Sequence, residues 1–325
     1  MQYPYRFKYP SQIGIAVTNK CNFACVHCIN YSSIKNKEEI PVDVVKTVID
    51  YMYAHCILCL DISGGEPLLY QGLEDVLHYG YDRNLTMSIA TNGYLLRGKF
   101  LKILKKYNVS VRVSYDGYDE ESFSKIRGKG LYNRVYENIT NAINDGLDVT
   151  LVSVIHRDNF KEIERYLESA SKLRIKQLRI MPYVPAGRGV NSNLVILTPI
   201  QWKFVLENFE RWGSAYGIKV AIDSPLMAIT HKLVCPCIVG KFYLDIKSNG
   251  DAIPCALLDV PIGNIYTNTI DEIWNNHIMQ EINDISLLNE KCQECDLLHA
   301  CAGGCRGMAY VIKGSYLCKD PLCWL

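Results

Sequence analysis

The chain lacks any apolar run of 18 residues, so no membrane-spanning helix is predicted. Its opening stretch, Met1-Gln2-Tyr3-Pro4-Tyr5-Arg6-Phe7-Lys8-Tyr9-Pro10, lacks the apolar centre of a secretory signal, and a cytoplasmic location is expected. No block of five like charges occurs and the net charge is only +1, which leaves no electrostatic footprint for nucleic acid or a membrane surface. Internal repeats and low-complexity tracts are absent as well. What remains is an ordinary soluble composition, 49% apolar and 21% charged over 325 residues. That length suits about two domains with a large core.

Cysteine, by contrast, is plentiful, with 14 in the chain. The share is still below that of small disulfide scaffolds, and in a reducing compartment such a pattern reads as metal-binding or catalytic. Cys21, Cys25 and Cys28 form a C-x3-C-x2-C loop directly after the apolar run from Ile13 to Val17. Three thiolates are one short of the four that close an iron–sulfur cube, so one iron is left for a ligand that is not protein. A zinc knuckle or plain buried cysteines are the simpler readings, but zinc sites usually show paired C-x2-C units. A second element, Asp61-Ile62-Ser63-Gly64-Gly65-Glu66-Pro67-Leu68, follows another apolar stretch, with one helical segment between the two. Its two glycines allow a close backbone approach to a ligand, and Pro67 stiffens the exit.

Short β-branched strands alternate with helical stretches up to about residue 215. Strands are predicted over Gln12–Val17, Cys59–Ser63, Thr86–Thr91, Ser110–Tyr115, Val149–Ile155 and Gln177–Met181. Helices are predicted over Val42–His55, Leu73–Tyr81, Lys99–Tyr107, Val135–Asp145, Ile163–Lys172 and roughly Pro199 to Trp212. Six strand–helix units imply parallel strands with right-handed crossovers, too few for a full eight-stranded barrel. The fold class expected is α/β, an open partial (β/α)6 barrel with a C-terminal cysteine-rich domain. The boundary falls near residue 225, giving 1–225 and 226–325. Beyond it the cysteine frequency rises, and Ser248-Asn249-Gly250-Asp251 marks a hairpin turn. Cys56 and Cys59 are expected to be buried packing residues.

The cysteine loop and the Gly-Gly-Glu-Pro segment, at this spacing, resemble the radical S-adenosylmethionine (radical SAM) superfamily, whose fold is also a partial barrel. The resemblance implies that the open iron is chelated by the amino and carboxylate groups of SAM. It implies that Gly64, Gly65, Glu66 and Pro67 receive the amino group. Ser114, Asp116 and Arg127 follow as contacts to the carboxylate and ribose, an arginine fork suiting a carboxylate. Thr91-Asn92-Gly93 is either the family's turn beneath the adenine or a plain turn. Pro185-Ala186-Gly187-Arg188-Gly189 contains a Pro-x-Gly-Arg segment that recurs in one subgroup, as a substrate contact or only as the turn into the second domain, and the turn is preferred.

The C-terminal cysteines resemble the SPASM extension of that superfamily, which holds two auxiliary clusters. Carried over position by position, Cys237, Cys255 and Cys305 fit the first, with Cys235 as the only nearby fourth ligand. Cys292, Cys295 and Cys301 fit the second. Its fourth ligand is Cys318 or Cys323, and Asp320-Pro321-Leu322-Cys323 favours Cys323. The cofactors implied are SAM and three 4Fe-4S clusters, the first auxiliary one in either 4Fe-4S or 2Fe-2S form. A flavodoxin- or ferredoxin-type donor would supply electrons.

The chemistry implied is reductive cleavage of SAM to a 5′-deoxyadenosyl radical, which takes hydrogen from an unactivated carbon, with the auxiliary clusters carrying an electron away. Maturation of a ribosomally made peptide is the first reading. Only about a dozen residues precede the first strand, so a separate protein would have to bind a leader peptide. The second reading is oxidation or epimerisation of a small molecule, such as an aminocyclitol sugar or a tetrapyrrole side chain. An epimerase would need a hydrogen-donating cysteine, for which Cys318 or Cys235 is the candidate. A non-enzymatic iron–sulfur or zinc protein is the third, and it has no use for the Gly-Gly-Glu-Pro segment or Arg127.

Overall fold

The computed structural model describes residues 6–231 and 237–325. Seven parallel strands follow in sequence: β1 (Gln12–Thr18), β2 (Cys59–Gly64), β3 (Thr86–Thr91), β4 (Ser110–Ser114), β5 (Val149–Ile155), β6 (Gln177–Pro182) and β7 (Lys219–Ile222). Helices α1 (Val42–Ala54), α2 (Leu73–Tyr81), α3 (Lys99–Lys106), α4 (Glu120–Arg127), α5 (Tyr132–Asn144), α6 (Ile163–Lys172) and α7 (Pro199–Tyr216) connect them. The first six strands and their helices fall where the hydrophobic periods predict, to within a few residues. The seventh strand is an addition to that pattern.

Each strand turns one face to the helices and one to the barrel interior. In β1 the helix-facing Ile13, Ile15 and Val17 are fully buried. They pack in one core with Ile49, Met52, Ile89, Leu151 and Trp202. Burying each such side chain contributes about 1.5–3 kcal/mol. The interior face carries small and polar residues instead. There Asp61 accepts hydrogen bonds from Gln12 and Ser88 and pairs with Arg112 at 3.2 Å. Helix ends are set locally. Asp119 and Ser122 form a capping box on α4, Thr198 and Gln201 one on α7, and Gly217 (φ +65°) ends α7 in the left-handed region.

The C-terminal hairpin forms at the predicted turn, with β8 (Tyr243–Ile246) antiparallel to β9 (Asp251–Ile253), which in turn pairs with β10 (Gly263–Asn264). It extends the barrel sheet, because β8 pairs in parallel with β1. The sheet order is β10-β9-β8-β1-β2-β3-β4-β5-β6-β7. Gly14 is required at this junction, since a Cβ there would strike the Tyr243 hydroxyl. Among the described residues no helix is long and apolar enough to cross a membrane.

The expected burial of Cys56 and Cys59 is corrected. Cys56 is exposed at φ +56°, and Cys59 is half-buried. Cys56 follows the C-cap of α1, a position where glycine is usual because the chain turns left-handed. Helical periodicity does not carry that information.

Candidate active site and cysteine clusters

The C-x3-C-x2-C loop leaves the carboxyl end of β1 and is held by the segment after β2. The Gly65 and Glu66 amides donate to the Thr18 and Lys20 carbonyls at 2.7 and 2.9 Å. Gly64 sits at φ +145°, where a Cβ would collide with the Thr18 carbonyl. The two glycines thus admit the cysteine loop itself, a partner that the sequence pattern does not identify. Pro67 opens the short 3-10 turn behind them.

Cys21 and Cys25 are buried and Cys28 is half-buried, and the three thiols lie within electrostatic reach of one another. Burial first, and mutual repulsion after it, pushes the Cys21 thiol up to about 12 and raises Cys25. Thiols so placed become thiolates when a metal displaces their protons. Donors already face two of them. The Phe23 amide is 3.4 Å from the Cys21 sulfur, and Arg127 Nη1 is 3.6 Å from that of Cys25.

Glu66 is wholly buried, and both its oxygens are engaged. Thr91 Oγ1 donates at 2.7 Å, the Asn92 amide at 2.8 Å and the Leu68 amide at 3.1 Å. Burial outweighs these donors and raises its pKa to about 7. Glu66 therefore clasps the ends of β2 and β3 together. It places Asn92, whose Nδ2 donates to Asn22 Oδ1 at 2.9 Å beside the Cys21 sulfur.

On the opposite flank Asp116, just past Ser114 at the end of β4, is fully buried. It accepts from Arg127 Nε at 2.6 Å and from the Val154 amide at 2.7 Å. Burial disfavours its charge, but Arg127 above all, with the Val154 amide, prevails and holds the carboxyl below its usual range. Arg127 in turn keeps its proton tightly despite burial, because Asp116 and Cys25 surround it. His27 Nε2 faces Asp116 at 3.4 Å, while burial holds the ring neutral with a pKa near 4. Its Nδ1 is buried without a hydrogen-bond partner. His27 and Arg188 escape sequence inspection as parts of this site. Their signals were a polar residue between two cysteines and an arginine in a Pro-x-Gly-Arg segment.

In the C-terminal part, Cys237, Cys255 and Cys305 interact electrostatically, and burial pushes Cys255 up to about 12. Cys235 lies outside the described residues. Cys292, Cys295, Cys301 and Cys323 together line a cavity of about 420 Å³. Cys318 does not line it; its carbonyl accepts from the buried Arg306 at 3.1 Å. Asp320 joins the chain end to the first set by accepting from the Cys305 amide at 2.8 Å. Among the described residues no three of these side chains close on the position of a single ion. A cavity walled by four thiols suits a larger inorganic group.

Residues 15–170 match the model of the radical SAM superfamily, and residues 235–296 match that of SPASM, an iron-sulfur cluster-binding domain. The chain belongs to the radical SAM superfamily and carries a SPASM domain. Both domains are associated with iron–sulfur clusters, and the superfamily with SAM.

Among its relatives, the AdoMet-dependent heme synthase of Methanosarcina barkeri is 29% identical, over 97% of this chain and 96% of that protein. The PqqA peptide cyclase of Granulibacter bethesdensis is 24% identical, over 97% and 87%. The structure of Streptococcus suis SuiB bound to its precursor peptide SuiA shares the fold, with a TM-score of 0.82 at 17% identity, over 98% of this chain and 77% of that one.

Proposed function

We propose that this protein is a radical SAM enzyme that matures a ribosomally made peptide by removing hydrogen from an unactivated carbon. When bound, the iron–sulfur cluster and SAM supply the 5′-deoxyadenosyl radical. The chain's residues supply the rest. Cys21, Cys25 and Cys28 hold the cluster, and the clasp of Gly64, Gly65 and Glu66 fixes their loop. Arg127, oriented by Asp116, offers its guanidinium beside Cys25, where a carboxylate on the open iron would meet it, with Ser114 alongside. Asn92 supports the adenine side. Cys235, Cys237, Cys255 and Cys305 hold one auxiliary cluster, and Cys292, Cys295, Cys301 and Cys323 the other. The location is cytoplasmic, where a flavodoxin- or ferredoxin-type protein donates electrons. Residues 1–225 carry the radical chemistry and 226–325 the auxiliary clusters.

The substrate reading rests on the relation to a peptide cyclase, which spans 97% of this chain and 87% of that protein. A small-molecule substrate, a tetrapyrrole above all, is the second reading. It is favoured by the full-length relation to a heme synthase.

The test is 5′-deoxyadenosine yield from the reduced, reconstituted protein with SAM. It is run alone, with a short peptide encoded beside the gene, and with an iron porphyrin carrying propionate side chains. A peptide-dependent rise with a mass change in the peptide is expected. A rise with the porphyrin alone would replace the first reading with the second.

A further inference from the structure

The Pro185–Gly189 segment, read from sequence as a turn, reaches across the barrel mouth. It leaves the end of β6, yet its contacts are with the cysteine loop after β1. Arg188 makes three of them. Its amide donates to the Cys28 carbonyl at 2.8 Å, Nη1 donates to the Cys25 carbonyl at 2.8 Å, and Nη2 donates to the Ser32 carbonyl at 2.6 Å. Gly187 supplies a separate observation. At φ +54° it packs so closely that a Cβ would collide with the Ile29 carbonyl. Four carbonyls between residues 25 and 32 therefore meet this one segment.

A loop with two buried thiols and few internal backbone bonds does not hold its own shape. Cys28 N to Cys25 O, at 3.3 Å, is its one short-range bond across the last two cysteines. From the α4 side the loop is tied by the Val26 amide to the Ile126 carbonyl at 3.0 Å. Arg188 supplies the opposing tie. Its planar fork presents Nη1 and Nη2 to two carbonyls at a fixed spacing, which an ammonium on a flexible stem does not.

We propose that Arg188 is a positioning residue for the cluster at Cys21, Cys25 and Cys28. It holds the backbone of the last two ligands, so that the three thiolates are already arranged when iron and sulfide arrive. It acts through the loop and touches no reacting atom. This rests on the reading that these three cysteines hold a cluster.

The experiment compares anaerobically reconstituted wild type, Arg188→Ala, Arg188→Lys, Gly187→Ala and a Cys21→Ala/Cys25→Ala/Cys28→Ala triple variant. Iron per chain, circular dichroism and electron paramagnetic resonance of the reduced protein, with and without SAM, are recorded. The difference in iron between wild type and the triple variant measures the N-terminal cluster. Its absence would overturn the cluster reading and the proposal with it.

Given that difference, Arg188→Ala is expected to fold like wild type yet lose most of that iron, and no more. Gly187→Ala, which pushes the segment off the loop instead of deleting a side chain, is expected to do the same if Arg188→Ala fails to fold. Arg188→Lys keeps the charge but loses the fixed fork. It is expected to retain iron while changing the reduced-cluster signal and its response to SAM. Wild-type iron in both Arg188→Ala and Gly187→Ala, or an unaltered signal and SAM response in Arg188→Lys, would overturn the proposal.

Discussion

The buried pair between Asp116 and Arg127 allows a quantitative test. Asp116 is fully buried, and the Arg127 side chain retains 12% of its exposure, so salt screens the pair little. In Asp116→Asn the guanidinium stays buried without its anion, and the Val154 amide faces a weaker acceptor. Breaking a buried pair from one side costs about 3–5 kcal/mol. With an unfolding entropy of about 2.1 cal/mol/K per residue, the 325 residues give about 0.7 kcal/mol per degree. The expected fall in Tm is therefore about 4–7 °C by calorimetry. Arg127→Met, which leaves the carboxylate unpaired, should fall by a similar amount. The Asp116→Asn/Arg127→Met double variant removes both charges and should fall by far less than the two together, since an apolar replacement of a buried pair is often neutral. Additive losses would refute the coupling. So would a single variant within about 1 °C of wild type.

Cys323→Ala should lose the iron of one whole cluster, about four atoms per chain, whereas Cys318→Ala should lose none, by iron assay of reconstituted protein. Gly64→Ala forces a side chain into the Thr18 carbonyl at a φ of +145°. It should cost more than about 3 kcal/mol in thermal unfolding, while Gly217→Ala, at φ +65° in the left-handed region with open space around it, should cost about 1 kcal/mol.

Asp245 provides the pH dependence. Burial outweighs the Tyr243 hydroxyl and the Ile246 amide and raises its pKa from 3.8 to about 6. The folded state then binds the proton more tightly than the unfolded one. Stability contributed by this group is present below about pH 4 and declines as pH rises to about 6, by about 3 kcal/mol. Urea titration should show Asp245→Asn losing that slope and exceeding wild type at neutral pH.

The barrel is legible in sequence because its first six strands are short β-branched runs separated by helices of clear period. β7 is not, being four residues, Lys219–Ile222, directly after a helix cap. The docking of β8 against β1 is a pairing between residues more than 200 positions apart, and no local pattern encodes it. At the site, the motifs mark segments that the structure brings together, but not the partner each residue meets. Glu66 reads as a ligand for a cation, and in the structure it accepts from Thr91, Asn92 and Leu68. The paired glycines read as room for a ligand, and in the structure they also admit the Thr18–Lys20 backbone. Arg188 reads as part of a turn and holds the cysteine loop. In each case residue type followed from local chemistry, whereas the partner followed from the closure of the sheet.

The role proposed for Cys21, Cys25 and Cys28 is to support reductive cleavage of SAM. The most direct test is 5′-deoxyadenosine formation by the reduced, fully reconstituted protein beside its Cys25→Ala variant. Formation is expected from wild type and none above background from the variant, whose auxiliary iron is retained. Equal formation by both proteins, or none by an iron-replete wild type, would contradict it.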